Sequence, residues 1–238
     1  MNFWRREKRH DRRLFRRMDL LKKRLSKWGR GETAVIRTKP ILFSGPMIRA
    51  LLDGCKTQTR RVLREGERQR YAVGDKLWVK EEWSGHYHFR DTPPAKRVSF
   101  MTPDGPILRE DIWYWADGRP ATGDYERPRS PLFMPRWASR ITLEVTAVRV
   151  QRLQEISDDD ALAEGVTKVR EHCYVIRGID YDEIGLCHSG PIAPFAKLWD
   201  SLNAKRGYGW EDNPWVAAIS FRIHKMNVDA FLAQREAA

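Results

Sequence analysis

The chain has 238 residues, of which 41% are hydrophobic and 32% are charged, a composition that excludes a wholly disordered or collagen-like protein. No run of about 18 apolar residues occurs and no secretory signal is recognisable, so neither a bilayer-spanning helix nor export is predicted. Three cysteines over this length do not make a disulfide framework, which favours the reducing cytoplasm as the compartment.

The net charge of +12 is concentrated at the N-terminus. Residues 1–30 hold 13 Lys and Arg against 3 Asp and Glu, whereas the remaining 208 residues hold 31 against 29. Apolar residues recur there every three or four positions, which predicts a basic amphipathic helix: Leu14, Met18, Leu21, Leu25 and Trp28. Such a helix could contact nucleic-acid phosphates, an anionic membrane surface or an acidic partner, or it could pack on the body without a binding role.

Turn residues and short β-rich runs divide the first half of the body. In chain order the predicted elements are a strand over 41–44, a helix over 46–53, and strands over 57–63 and 75–83. An aromatic-rich insertion over 84–135 follows, with strand-like pieces at 97–101 and 111–115.

The second half has clearer patterns. Ile141, Leu143 and Val145 alternate with polar residues, which predicts a strand over 139–153 with one buried face. Ser157 is predicted to cap a helix that runs to Glu164, with three aspartates in its first turn. The remaining predicted elements are a second irregular insertion over 166–190, a helix over 194–205, a strand over 216–224 and a C-terminal helix over 228–235, within residues 225–238.

Strands and helices do not alternate regularly along this chain, which argues against a doubly wound parallel sheet. The order instead predicts an α+β domain over residues 38–224 with a curled, barrel-like sheet.

The segment over residues 53–62 brings several reactive side-chain types together. Thr57, Thr59 and Arg61 would share one face of a strand, with Lys56 at the bend before them. If burial lowers the pKa of a lysine, its neutral amine can accept the proton of a threonine hydroxyl that attacks a carbonyl. The same residues would also suit an exposed strand, so this motif alone allows either a catalytic or a structural role.

The motif Gly54-Cys-Lys-Thr-Gln-Thr-Arg-Arg61 and the later Val73-Gly-Asp-Lys-Leu-Trp-Val79 resemble the ASCH family of the PUA-like superfamily. The strand that begins at Ile141, the helix that follows it and the terminal strand Ala217–Arg222 are similar to the family's central strand, helix and closing strand. The resemblance covers most of residues 39–224 and is greatest to the long ASCH proteins of phages and prophages. It implies a PUA-like β-pseudo-barrel with flanking helices, in the bacterial host cytoplasm if a phage encodes it.

The resemblance also implies a site. The small bacterial ASCH enzymes that hydrolyse N4-acetylcytidine use a lysine, a threonine and a glutamate, and the matching residues are Lys56 as base, Thr59 as nucleophile and Glu164 as an orienting or protonating group. Arg61 would hold a phosphate or the oxyanion. The implied reaction is amide hydrolysis on an N4-acylated cytosine-type base without a metal or another cofactor.

The family leaves other functions open. The implied partner is a nucleic acid, RNA in preference to DNA, or a modified nucleoside. A non-catalytic RNA- or DNA-binding module and a ribonuclease are the alternatives, and a phage assembly or host-interaction protein is a third. The insertion over 84–135 could cover the cleft or reshape it for a polymer.

Further candidates for substrate or nucleic-acid binding lie outside the motif. Trp113 and Trp115 would point the same way in a strand and are candidates for base stacking, whereas Trp78 is predicted to be core or cleft wall. Arg136 and Arg140 could contact phosphates or be ordinary surface charges.

Two His-Cys neighbours offer four possible zinc ligands, His172, Cys173, Cys187 and His188. Adjacent ligands strain tetrahedral coordination, so no metal site is predicted. Core cysteines and loop histidines are the expected alternative.

Overall fold

The structure is a computed structural model that describes residues 37–64, 70–103, 105–176 and 188–237. The basic helix predicted over residues 1–30 lies outside the described residues. Among the helices that are described, none has both the length and the apolar character needed to cross a membrane.

Eleven strands and four α-helices are described, together with short 3-10 turns. The strands are β1 (Thr38–Leu42), β2 (Gln58–Val62), β3 (Lys76–Lys80), β4 (Trp83–Gly85), β5 (Phe100–Thr102), β6 (Gly105–Ile107), β7 (Ile112–Tyr114), β8 (Thr142–Arg152), β9 (Val166–Arg170), β10 (Cys173–Ile176) and β11 (Trp215–His224). The helices are α1 (Gly45–Leu52), α2 (Asp158–Ala163), α3 (Ile192–Asn203) and α4 (Val228–Glu236).

A five-stranded sheet in the order β1-β3-β8-β11-β2 forms the centre of the fold. The pair β1–β3 is parallel and the other three pairs are antiparallel. Three two-stranded sheets, β4–β7, β5–β6 and β9–β10, lie outside it. The mixed sheet with its separate helices confirms the predicted α+β class.

The alternation along β8 sets the position of the main core. Ile141, Leu143 and Val145 are at most 1% exposed, as their spacing predicts, and they pack against Ile48 and Leu51 of α1. A second buried cluster lies beneath α3 and includes its residues Phe195 and Trp199. Helices therefore cover the sheet at two places, and the cavity described below is lined by residues of both.

The two edges of the central sheet come close together. Arg61 of β2 donates a hydrogen bond from Nη2 to the carbonyl oxygen of Leu42, the last residue of β1, at 2.8 Å. Because β1 and β2 are the first and last strands in the sheet order, a single side chain can join them only if the sheet curls. The curl agrees with the predicted PUA-like pseudo-barrel.

The helix predictions agree with the structure to within two residues at every end, and the strands predicted over 57–63 and 216–224 agree to within one. Ser157 caps α2 as predicted, since its side chain accepts a hydrogen bond from the Asp160 backbone N–H. The N-terminal strand was placed too late, because β1 begins at Thr38 and ends at Leu42. The strand predicted over 75–83 is two strands, of which β4 pairs with β7 of the insertion.

The second insertion was wrongly predicted to be irregular where it is described. Residues Val166 to Ile176 form the antiparallel hairpin β9–β10. Its turn contains His172 at a φ of 53° and no glycine, so the sequence lacks the usual hairpin signal.

Candidate functional site

Lys56 and Glu164 form the centre of the candidate site. An isolated antiparallel bridge joins the two residues just before β2 and just after α2. Lys56 Nζ donates to Glu164 Oε2 at 2.7 Å and to the Glu164 carbonyl oxygen at 2.8 Å, and both residues are buried. Burial lowers the pKa of Lys56, and the adjacent Glu164 carboxylate opposes this shift only in part. A buried amine with a lowered pKa is the type of group that can act as a base.

Gly165 allows this close approach. It follows Glu164 with a φ of 103°, a conformation that side chains rarely adopt. A Cβ atom there would lie 3.4 Å from Ala50 Cβ and 3.5 Å from Lys56 Cβ. The glycine is therefore required at the end of α2 by its backbone conformation, and its surroundings would place an added Cβ in contact with Lys56.

A buried polar network that was not predicted surrounds the pair. Arg60 donates from Nη1 to Glu164 Oε1 at 3.0 Å and from Nη2 to Asp160 Oδ2 at 2.7 Å. Asp160 also accepts from Arg149 Nη2 at 2.5 Å and from Gln58 Nε2 at 3.1 Å. The Arg60 side chain is fully buried, so these carboxylates compensate a charge that would otherwise be costly to bury.

A signal for this network is present in the sequence. Gln58 and Arg60 lie two residues apart and share one strand face, while Asp160 and Glu164 lie four apart and share one helix face. This pattern was overlooked because Asp160 is one of three consecutive aspartates at the start of α2. The helix dipole already explained acidic residues at that position.

A cavity of about 600 Å³ opens beside the pair, between the two edges of the curled sheet and α3. Thr59 and Glu164 both line it, and Lys56 contacts Glu164 without lining the cavity itself. Within the described part of the chain, the Thr59 hydroxyl makes no hydrogen bond, either to Lys56 or Glu164 or to any other group. The structure thus brings two of the three predicted catalytic residues to one cavity and places the third behind them.

The lining of the cavity is basic and aromatic. Its charged members are Glu164 and the arginines Arg60, Arg61, Arg64, Arg70 and Arg206. Its aromatic members are Phe43, Tyr71, Phe195 and Trp199. The Arg61 guanidinium lies 5.0 Å from the centre of the Phe43 ring, and burial lowers the pKa of Arg61.

Arg136 and Arg140 are bound by carboxylates away from this cavity. Arg140 donates to both oxygens of Glu81 at 2.9 Å and to both oxygens of Asp117, at 2.7 and 2.9 Å. Arg136 binds Asp229 of α4, with Nη2 at 2.5 Å from Oδ1. Both guanidinium groups therefore connect parts of the fold to one another.

The predicted aromatic and threonine contacts are also not brought to the cavity. The Trp113 indole N–H donates a hydrogen bond to the Gly118 carbonyl oxygen. The Trp115 indole N–H donates to Ser84 Oγ at 2.7 Å. The expectation of one strand that contains both is wrong, because β7 ends at Tyr114 and a 3-10 turn begins at Trp115. Trp78 lies in β3 with Lys80 Nζ 5.3 Å from its ring centre, and Thr57 is an exposed residue just before β2.

Metal ligands are not clustered in the described residues, where no group of three or more His, Cys, Asp or Glu side chains could hold an ion. Cys173 is disulfide-bonded, so it offers no thiolate to zinc, and Cys187 lies outside the described residues.

No protein-family model matches the chain, and no curated protein is similar to it. Among solved structures, a DUF984 protein of Enterococcus faecalis V583 is similar at 11% identity, with 89% of this chain and 94% of that chain covered and a TM-score of 0.36. The ASCH domain from Lactobacillus crispatus JV V101 is similar at 13% identity, with 85% and 90% covered and a TM-score of 0.34. Similarity this low assigns no activity.

Proposed function

We propose that this protein hydrolyses an amide on the base of a nucleoside or nucleotide, with Lys56, Thr59 and Glu164 as the reacting groups. One observation carries the proposal: Thr59, a buried residue, lines the same cavity as the Glu164 carboxylate, and that carboxylate is hydrogen-bonded to the buried Lys56 amine. A nucleophilic hydroxyl must come within hydrogen-bond reach of its base, so the proposal requires Thr59 Oγ1 to make that contact with Glu164 once substrate is bound.

The chemistry follows from these three groups. Thr59 Oγ1 attacks the amide carbonyl carbon, and its proton passes to the Lys56–Glu164 pair, which can accept it because the amine is held toward its neutral form. The tetrahedral oxyanion is stabilised by a lining arginine, for which Arg61 is the candidate. Cleavage of the C–N bond returns the proton to the leaving amine and leaves an acyl-threonine ester. Water then hydrolyses the ester and regenerates the hydroxyl.

The cavity suits a ligand of this kind. Its volume of about 600 Å³ lies within the range of small-molecule sites, so a nucleoside or nucleotide can be enclosed. Of the four aromatic residues in the lining, Phe43, Phe195 and Trp199 are buried in the core and Tyr71 is partly exposed, so Tyr71 is the candidate for stacking on a base. The cytosine-type base is the finer part of the proposal and rests on the motif resemblance.

The test is hydrolysis of N4-acetylcytidine, followed by chromatography of the released cytidine. Thr59→Val keeps the shape of the side chain and removes only the hydroxyl, so we expect a loss of about 100-fold or more. Thr57→Val is the matched control, since Thr57 is exposed and does not line the cavity. Equal rates for wild type and Thr59→Val would overturn the assignment of the nucleophile.

A non-catalytic RNA-binding module is the second candidate, and the excess of arginine in the cavity favours it. In that case the protein would bind single-stranded RNA with an affinity that falls with salt, and Thr59→Val would bind as well as wild type. Wild-type hydrolysis that is lost in Thr59→Val excludes this reading, because a pure binding module turns nothing over.

A further inference from the structure

We propose that Arg61, Arg64 and Arg206 form a phosphate subsite at the cavity, so that the substrate is a phosphorylated nucleotide unit and not a free nucleoside. The inference rests on the proposed function for the base-binding part of the ligand. The phosphate is inferred from the charges that line the cavity, of which Arg64 and Arg206 have no role in the proposed hydrolysis.

The charge balance of the lining is the first observation. Five arginines and one glutamate line the cavity, and that glutamate, Glu164, is already paired with Lys56 and Arg60. Across the described ranges, no carboxylate pairs with Arg61, Arg64 or Arg206. Every other lining side chain is neutral apart from Arg70, so the lining carries more positive than negative charge. An anionic ligand would balance this positive charge.

The positions of two of these arginines are the second observation. Arg206 lies in the 3-10 turn that follows α3, and its charge is close enough to contribute to the lowered pKa of Arg61. Arg61 of β2 and Arg206 after α3 thus line the same cavity from two different elements. Arg61 is further held in place by the Leu42 carbonyl oxygen at 2.8 Å and by the Phe43 ring, whose centre lies 5.0 Å from the guanidinium. A fixed guanidinium loses little freedom when it binds phosphate.

The distance from this subsite to the nucleophile is the third observation. Thr59 and Arg61 are two residues apart in β2, which separates them by roughly 7 Å along the strand. They point to the same face of the strand and both line the cavity. A nucleotide can therefore present its base to Thr59 while its sugar phosphate reaches Arg61.

Calorimetric titration of the full chain with cytidine and with cytidine 5′-monophosphate tests the subsite. We expect the monophosphate to bind at least about tenfold more tightly at low salt, with an advantage that shrinks as sodium chloride is added. Arg64→Ala and Arg206→Ala change exposed side chains, so both variants are expected to fold. Each should weaken monophosphate binding about three- to tenfold and leave cytidine binding unchanged.

Arg90→Ala is the matched control, because Arg90 is an exposed arginine of the insertion that does not line the cavity. A single-stranded tetracytidylate distinguishes the source of the phosphate: tighter binding of the monophosphate indicates a free nucleotide, and tighter binding of the tetranucleotide indicates a strand. Weaker binding of the monophosphate or of the tetranucleotide in Arg206→Ala supports the subsite. Equal binding of cytidine and its monophosphate, or an equal loss of both in Arg206→Ala, would overturn it.

The two proposals fail in different ways. Arginine-dependent binding of the monophosphate without hydrolysis of its N4-acetyl form would leave the subsite standing and overturn the hydrolase. Hydrolysis of N4-acetylcytidine and of its 5′-monophosphate with the same kcat/KM, unchanged in Arg206→Ala, would leave the hydrolase standing and overturn the subsite.

Discussion

Lys56 and Glu164, 108 positions apart in the chain, are joined by a 2.7 Å contact between Nζ and Oε2 in the buried interior. The same carboxylate accepts Arg60 through its other oxygen at 3.0 Å. One buried carboxylate thus compensates two buried cations, and it also borders the cavity. A group in this position affects both the stability of the fold and the chemistry of the site.

Replacement of this carboxylate should therefore destabilise the protein strongly. Glu164→Gln leaves Lys56 without its counter-charge, and we expect the free energy of unfolding to fall by about 3–5 kcal/mol. Urea denaturation measures this change. Glu110→Gln is the control, because its partner Arg109 is about half exposed and such pairs contribute roughly 1 kcal/mol or less. Equal effects of the two substitutions would contradict the burial argument.

The rate of hydrolysis should rise with pH. Burial lowers the pKa of Lys56 from its usual 10.5, with Arg61 and Arg60 adding to the shift and Glu164 opposing it. If the neutral amine is the active form, the rate increases as pH rises through that lowered pKa and levels off above it. The apparent pKa of the pH–rate profile should lie below 10.5. A rate that stays constant or falls as the pH rises towards 10.5 would rule out an amine base.

Lys56→Arg provides the companion measurement. A guanidinium remains charged throughout the pH range, so the variant should keep a counter-charge for Glu164 but lose the rising limb together with most of the activity. Retention of the wild-type profile in Lys56→Arg would show that another group titrates.

Gly165 should not tolerate a side chain. Gly165→Ala imposes backbone strain of about 1–3 kcal/mol at the residue next to Glu164, so both stability and hydrolysis are expected to fall. Gly118→Ala is the matched control, since Gly118 has nearly the same φ of 102° but open space around its missing side chain. Thermal denaturation should detect strain in both variants, while the assay should detect a loss only in Gly165→Ala. Full activity in Gly165→Ala would mean that the close approach to Lys56 is dispensable.

Acid should weaken the fold through Glu144. A hydrogen bond from Lys76 Nζ at 2.6 Å, with Arg235 and His224 also in contact, lowers the pKa of Glu144 from 4.5 to about 2. Because its pKa is lowered in the folded state, this group contributes about 3 kcal/mol above pH 4.5, and the contribution is lost as pH falls towards 2.

Glu144→Gln should thus be less stable than wild type at neutral pH. The difference in the free energy of unfolding between the two proteins should shrink as the pH falls from 4.5 towards 2. Urea unfolding at several pH values measures it. Glu211→Gln, at an exposed carboxylate without an ion pair in the described chain, should show no such convergence. A difference between Glu144→Gln and wild type that persists at pH 2 would contradict the assigned cause.

Much of the fold could be predicted because it depends on local patterns. The alternation around Leu143 identified the central strand, and the Ser157 cap with its acidic first turn identified α2. Gly54 and Gly165 marked the ends of elements and both have positive φ. The hairpin β9–β10 was missed because its turn has no glycine signal.

The candidate site was predictable only in part. Lys56, Thr59 and Glu164 came from motif resemblance, and their contacts came from the structure. Arg60 was missed, although it completes the buried network, because the aspartates that could have indicated its partners were attributed to the helix dipole alone. Arg140 was a candidate for phosphate contact and instead binds Glu81 and Asp117.

The amino-acid sequence by itself determined the periodicities, caps and turns, because these depend on backbone hydrogen bonds and apolar spacing over a few neighbouring residues. Tertiary structure alone decided which charges meet. The curl that joins Arg61 to Leu42, the pairing of Lys56 with Glu164 and the convergence of arginines on one cavity all bring together residues from distant parts of the chain. Such contacts depend on how the whole sheet closes, since the energy of a buried charge is set by its neighbours in space and not by its neighbours in sequence.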